Sequence, residues 1–240
     1  MRTDILLQAL PSYATGTLVT LLLLVISLAL GFALAVPLSL ARSSSRRWLA
    51  WPVWAYTYVI RGTPLLVQLV VIYFGFAQFE AVRTSILWPL LSSAWFCACL
   101  GFMLNTAAYT TEIFAGAIRS IPHGEVEAAR ALGMSRALVI RRIVLPCALR
   151  RALPAYSNEA VFMLHATSLA SVITLFDLTA AARATYADTY RPFEAFGLAA
   201  VFYLVLTFAV VGAFKLAERR WLAYLRPRSA TPAPAAAAAA

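Results

Sequence analysis

Between Asp4 and Arg42 the chain runs for 37 residues, Ile5 to Ala41, without a formal charge. The centre of that run, LVTLLLLVISLALGFALAVPL, supplies the roughly 20 apolar residues that a membrane-spanning helix requires. Hydrocarbon offers the backbone no hydrogen-bond partner, so a segment of this kind must satisfy its own N–H and C=O groups as a helix. Four further apolar stretches follow. With the first, they predict five spans at about 15–40, 62–79, 86–111, 155–178 and 196–214. Of the 240 residues, 62% are hydrophobic, well above the 45–50% or so of a soluble domain. The expected fold class is an all-α membrane protein with five transmembrane helices, in one transmembrane domain over residues 1–228.

The charges lie between these stretches. The formal net charge is +10, from 20 Lys+Arg against 10 Asp+Glu, and Lys215 is the only lysine. A basic balance raises nucleic acid as a partner. Arginines confined to the segments between apolar runs fit membrane topology instead, so no nucleic-acid partner is expected. Basic residues favour the cytoplasmic side. With the N-terminus outside and the C-terminus inside, fifteen of them fall in cytoplasmic segments and Arg2, Arg83, Arg183 and Arg191 fall outside, with Arg61 unassigned. Trp48, Trp51, Trp54, Tyr56 and Tyr58 suit a helix at or entering the membrane interface. Thr63 is placed to cap the next helix, with Pro64 at its first position. Residues 177–194 read as a polar loop. Cys97, Cys99 and Cys147 are too few and too badly spaced for a disulfide frame or a zinc site. No removable signal peptide is expected at the start, and the Pro/Ala tail at 229–240 reads as disordered.

The longest polar interruption is Ser120 to Pro146, within a cytoplasmic segment expected at 119–151. Glu125 and Glu127 stand in the first turn of a short helix, where the positive end of the dipole favours carboxylates. Ala128, Ala129 and Leu132 make a small apolar face, and Glu127 can pair with Arg130 three residues on. Gly133 is expected as a left-handed cap, a conformation that glycine adopts most cheaply. Ser135 can then cap a second helix from Arg136 to Leu145, with Ile140, Ile143 and Val144 as its stripe and Pro146 as its stop or kink. By pattern alone, this is either a solvated loop or a place where another protein docks.

Polar residues inside the spans mark a second region. Asn105, Tyr109 and Glu112 share one face of the third span. Glu159 lies about a turn inside the fourth, where an ionised group costs about 2.5–3.5 kcal/mol on insertion scales. Met163 and Thr167 follow on its stripe, and Ser168 is adjacent. Either Glu159 faces a pathway, with Asn105 contributing from the third span, or it pairs with an arginine such as Arg151 and is structural. His165 reads as a packed or hydrogen-bonded residue. No metal, nucleophile–base or paired-carboxylate set emerges, so an enzyme is not expected.

The spacing Glu127-Ala128-Ala129, three residues to Gly133, nine to Ile143, then Leu145-Pro146 resembles the EAA-x3-G-x9-I-x-LP signature of the membrane subunits of bacterial ABC importers. Arg61 to Gln68 (RGTPLLVQ) and Asn105 to Glu112 (NTAAYTTE) resemble the polar amino-acid branch. Ala155 to Glu159, Met163-Leu164-His165 and Glu218-Arg219-Arg220-Trp221 resemble its histidine and lysine/arginine/ornithine members. The resemblance implies a type I importer transmembrane domain in the bacterial inner membrane. It further implies a second homologous membrane subunit, a cytoplasmic ATPase dimer and a periplasmic amino-acid-binding protein as partners. The turn of Glu127 to Gly133, with Arg130, would be the coupling helix, and the cargo a polar, cationic amino acid meeting Glu159. No phosphate loop G-x-x-x-x-G-K-[ST] is present in the sequence, so no cofactor is expected on this chain; ATP and Mg would belong to the ATPase. An ATP-independent secondary transporter or channel is the competing reading, for which no internal repeat speaks, and a non-transporting scaffold leaves the polar faces unexplained.

Overall fold

The structure is a computed structural model that describes residues 3–221, all helix and connection without strands. The tail at 229–240 and the basic pair Arg226 and Arg228 lie outside the described residues. The uncharged N-terminal run forms one helix, α1 (Thr3–Arg42). At about 1.5 Å per residue it is long enough to cross a bilayer and project beyond it. After a short turn comes α2 (Arg47–Gly62), then a break, then α3 (Leu65–Val70), which continues as a π turn and a 3₁₀ turn to Gln78. The two arms of this pair meet at 101°. Two short helices, α4 (Glu80–Arg83) and α5 (Trp88–Leu91), lead into the long α6 (Ala94–Arg119).

The polar segment forms α7 (His123–Ala131) and α8 (Arg136–Val139). From α8 the chain passes through a π turn at Ile140–Val144 straight into α9 (Leu145–Ala166) and a 3₁₀ stretch to Ile173. Thr174, at φ 71°, ends it. α10 (Leu178–Thr189) and α11 (Pro192–Trp221) complete the bundle.

Several expected boundaries shift. The third span begins at Ala94 and not near Trp88, because the Ser93 hydroxyl caps it by accepting from Phe96 N. The fourth begins inside the polar segment, at Leu145. Pro146 does not stop the helix, since the first turn of α9 has no need of its missing N–H. Residues 178–189, read as loop, are helix: Asp177 accepts from Ala180 N at 2.7 Å, and Ala181 and Ala182 bury against α1 and α11. Thr63 does not cap α3. Its hydroxyl donates back to Val59 O at 2.9 Å, and the cap position falls on Pro64.

Among the described residues, α1 (from Gln8) and α11 are long and apolar enough to cross a membrane, and counting each bent pair as one span raises the number to four. α6 is not among them, because Asn105, Thr106, Thr110, Thr111 and Glu112 lower its hydropathy. The bundle encloses that face: Thr106, Thr110 and Thr111 are fully buried. Packing centres on α1 against α6. Leu23 and Leu24 of α1 meet Phe102 of α6, Leu69 of α3 and Met163 and Leu164 of α9 in the main core. Towards the polar segment a second core joins Phe114, Ala148 and Ala152, with Phe32 edge-on to Phe114 and Tyr156 at 5.5 and 5.6 Å.

Small residues make the closest approaches, as helices in lipid require. A Cβ at Gly16 would lie 2.7 Å from Asp177 O and 2.9 Å from Leu178 Cα, both backbone atoms that no side-chain rotation can move. Gly16→Ala is therefore expected to destabilise the detergent-solubilised protein by about 1–3 kcal/mol, read as a fall in its thermal midpoint. Gly116→Ala, where a Cβ meets nothing within 4 Å, serves as the control; an undiminished midpoint for Gly16→Ala would contradict the close approach of α1 to α10.

Candidate functional site

Two regions carry the residues singled out by sequence, and one helix joins them. In the polar segment α7 ends in a Schellman turn. Met134 N donates to Ala129 O at 3.2 Å, Gly133 N donates to Arg130 O at 2.9 Å, and Gly133 adopts φ 79°. Ser135 then accepts from Leu138 N at 3.4 Å and opens α8. Ala129 is buried against the body, while Glu127, Ala128, Arg130 and Gly133 are exposed. Leu132 does not share a buried face with Ala129; it stands 83% exposed at the tip of the turn. In α8 the anchoring residue is Val139 and not Ile140, which faces out. Ile143, Leu145 and Pro146 are half-buried where the segment runs into α9.

Two polar ties hold this region to the bundle. Arg151 donates to Ser120 O at 2.6 Å and so links α9 to the end of α6. Arg42, at the end of α1, pairs with Glu112 of α6 at 2.7 Å, and Thr57 of α2 donates to the same carboxylate oxygen at 2.8 Å. Glu112 is therefore structural. Arg151 is committed to Ser120 and is not the partner of Glu159.

The second region is a cavity of about 440 Å³ between α6 and α9. Asn105 and Tyr109 line it from α6; Asn158, Glu159, Phe162 and Met163 line it from α9. Helical spacing gathers both sets: Asn105 and Tyr109 are four apart, as are Glu159 and Met163. Glu159 is 6% exposed. Thr167 and Ser168, expected beside it, are not in this cavity. At Thr167 the helix tightens to 3₁₀, with three residues per turn, which rotates the following side chains away. The Thr167 hydroxyl is buried and donates to Leu164 O at 2.6 Å. Ser168 lines a separate cavity towards α11, with His165, Tyr203 and Thr207. His165 is hydrogen-bonded there, its Nε2 lying 3.1 Å from the Thr207 hydroxyl.

Asn158 and Phe162 also line the site; they stand four apart on a stripe beside that of Glu159 and Met163, which the same helical spacing defines. Gln68 was quoted only as part of a motif. Its amide nitrogen donates to Ile60 O at 2.7 Å and to Thr63 Oγ1 at 2.8 Å across the α2–α3 break, and its oxygen accepts from Asn105 at 3.3 Å. That clamp ties the break to the cavity wall. Among the described residues no three His, Cys, Asp or Glu side chains gather to hold a metal. Chemically, the cavity offers one buried carboxylate, two amides and an aromatic face: it can bind a cation, and it contains no nucleophile–base pair.

The profile of the family described as "Binding-protein-dependent transport system inner membrane component" matches residues 28–223. The chain is 51% identical over 216 residues to the histidine/lysine/arginine/ornithine transport system permease protein HisM of Escherichia coli K12, covering 90% of this chain and 91% of HisM. It is 48% identical to the octopine transport system permease protein OccM of Rhizobium meliloti (85% and 83% covered) and 44% identical to the nopaline transport system permease protein NocM of Agrobacterium fabrum (99% of each). Among solved structures, a crystal structure of an amino acid ABC transporter with histidines superposes with a TM-score of 0.79 at 34% identity, over 90% of this chain and 96% of that one. An inward-facing MetNI methionine ABC transporter, at 18% identity and a TM-score of 0.71 over 87% of this chain and 95% of that one, shares the fold. The exposed turn at Gly133, the α6–α9 cavity and these similarities lead to one conclusion: the chain belongs to the family of binding-protein-dependent transport system inner membrane components.

Proposed function

We propose that this chain is the permease subunit of an ATP-driven importer, and that it moves a cationic amino acid across the bacterial inner membrane. The observation that carries the mechanism is the unbroken helical path from Arg136 to Ala166. One end of that path sits in the exposed turn that bears the importer signature. The other bears Glu159, Phe162 and Met163 on the cavity wall. A displacement applied at the turn reaches the cavity along hydrogen-bonded backbone, without crossing a loop.

In this reading the chain crosses the membrane five times, N-terminus out and C-terminus in. α6 counts as a span because the bundle, not lipid, surrounds its polar face. Glu127, Ala128, Ala129, Arg130 and Gly133, supported by Ile143, Leu145 and Pro146, form the coupling element that seats in a cytoplasmic ATPase, one of a pair. The ATPases bind ATP and Mg; this chain binds neither. A second homologous permease completes the pathway, and a periplasmic binding protein delivers the cargo. Glu159, Met163 and Asn105 meet the cargo. The relatives' names support its class, because histidine, lysine, arginine, ornithine, octopine and nopaline all carry nitrogen bases that protonate. A buried carboxylate without an ion-pair partner among the described residues suits such a charge. Thr167 and Ser168 have no place in this pathway.

Glu159→Gln keeps the shape of the side chain and removes its charge. A hydrogen bond to a charged group contributes about 1.5–3 kcal/mol, so uptake at limiting substrate is expected to fall about tenfold or more with assembly intact; unchanged uptake would remove Glu159 from the pathway. Gly133→Asp puts a side chain at φ 79°, a conformation that costs an L-residue roughly 1–2 kcal/mol, and adds a charge to the docking turn. The ATPases are expected to be lost on co-purification, or to hydrolyse ATP without uptake. Coupled uptake that survives this change would show that the turn is not the coupling element.

A further inference from the structure

Arg61 ends α2 beside the break, is exposed, and places its guanidinium carbon 5.1 Å from the centroid of the Tyr109 ring. Tyr109 lines the Glu159 cavity, so Arg61 packs on a side chain of the cavity wall. Among the described residues no ion pair joins Arg61 and Glu159, although opposite charges in a low-dielectric setting attract strongly; the local structure keeps them apart. Two restraints do this here. The guanidinium lies against the Tyr109 face, a favourable cation–π contact. The backbone around it is fixed by Gln68, which donates to Ile60 O and Thr63 Oγ1 and accepts from Asn105 on the cavity wall. Neighbouring arginines are committed elsewhere, Arg42 to Glu112 and Arg151 to Ser120.

A cavity with a carboxylate within it and a separate guanidinium on one of its wall residues matches a ligand that carries both charges. We propose that Arg61 is a second binding residue of this cavity, taking the α-carboxylate of the amino-acid cargo while Glu159 takes the cationic side chain. The assignment rests on the cavity's role as the cargo site. The planar guanidinium can donate two parallel hydrogen bonds to one carboxylate, which lysine cannot reproduce. Arg61 thereby makes the cavity selective for amino acids over the corresponding amines, and it fixes which end of the cargo faces the break between α2 and α3.

The test uses the chain assembled with its partner subunits in nanodiscs, without the binding protein, and measures binding of arginine and of agmatine, its decarboxylated counterpart. The wild type is expected to bind arginine about tenfold or more tightly than agmatine. Arg61→Gln is expected to erase that preference by weakening arginine alone, Arg61→Lys to retain part of it, and Glu159→Gln to weaken both ligands. Wild-type protein that binds arginine no more tightly than agmatine would overturn the assignment, a comparison that needs no variant to fold. So would an Arg61→Gln protein that loses both ligands equally or neither. If Glu159→Gln leaves both ligands unaffected, the cavity itself is not the cargo site; if it weakens both while Arg61→Gln changes nothing, only the role of Arg61 falls.

Discussion

The packing of α1 against α6 is the constraint on which the rest depends. α6 carries Asn105, Thr106, Thr110, Thr111 and Glu112 through the middle of an otherwise apolar molecule, and such a face cannot meet lipid cheaply. α1 covers it. Gly31 of α1 lies directly against Thr106 and Ala107, with no room for a Cβ, and Arg42 at the end of α1 neutralises Glu112. With that side closed, the remaining polar positions of α6, Asn105 and Tyr109, turn towards α9 and meet Glu159 there. The cavity thus follows from how α6 is sheltered: one flank packs against a glycine-bearing helix, and the other stays open to a ligand.

The connection between the exposed Gly133 turn and that cavity shows the same economy. A loop between that turn and the cavity wall would absorb motion. The chain instead runs from Arg136 to Ala166 as continuous helix, with a single π turn at Ile140–Val144. π turns often sit at functional sites, and this one overlaps Ile143 and directly precedes Leu145 and Pro146 of the signature. The Arg151–Ser120 tie and the Phe32, Phe114 and Tyr156 rings brace the segment against α6 and α1, so a displacement of α9 is resisted at defined contacts.

Much of this was legible in the sequence wherever one residue type answers to one physical requirement. Gly133 was placed as a left-handed cap because few other residues take φ 79° without strain, and Ser135 followed as the next cap. Asn105, Tyr109 and Glu159 were found because polar groups at helical spacing in an apolar run have few places to go. Failures came where tertiary context decides. The 178–189 helix looked like a loop because its Ala/Thr-rich pattern declares no face until Asp177 caps it and α1 covers it. Thr167 and Ser168 were assigned by α-helical spacing that stops one residue earlier, where the helix tightens. The break at Arg61-Gly62-Thr63-Pro64 was readable from Gly62 and Pro64, but its 101° angle, which sets Gln68 against Asn105 and Arg61 against Tyr109, was not.

In the function proposed above, the Gly133 turn and the cavity wall move as one rod. Spin labels at Ala137 on α8 and His165 on α9, with a second pair at Ala137 and Leu22 on α1, test it directly in the assembled transporter, by distance measurement in the resting and ATP-trapped states. A rigid rod keeps the distance from 137 to 165 constant while that from 137 to 22 changes. A distance from 137 to 165 that changes as much as that from 137 to 22 would place a hinge between the two labels, at the π turn or at Pro154, and contradict the rod.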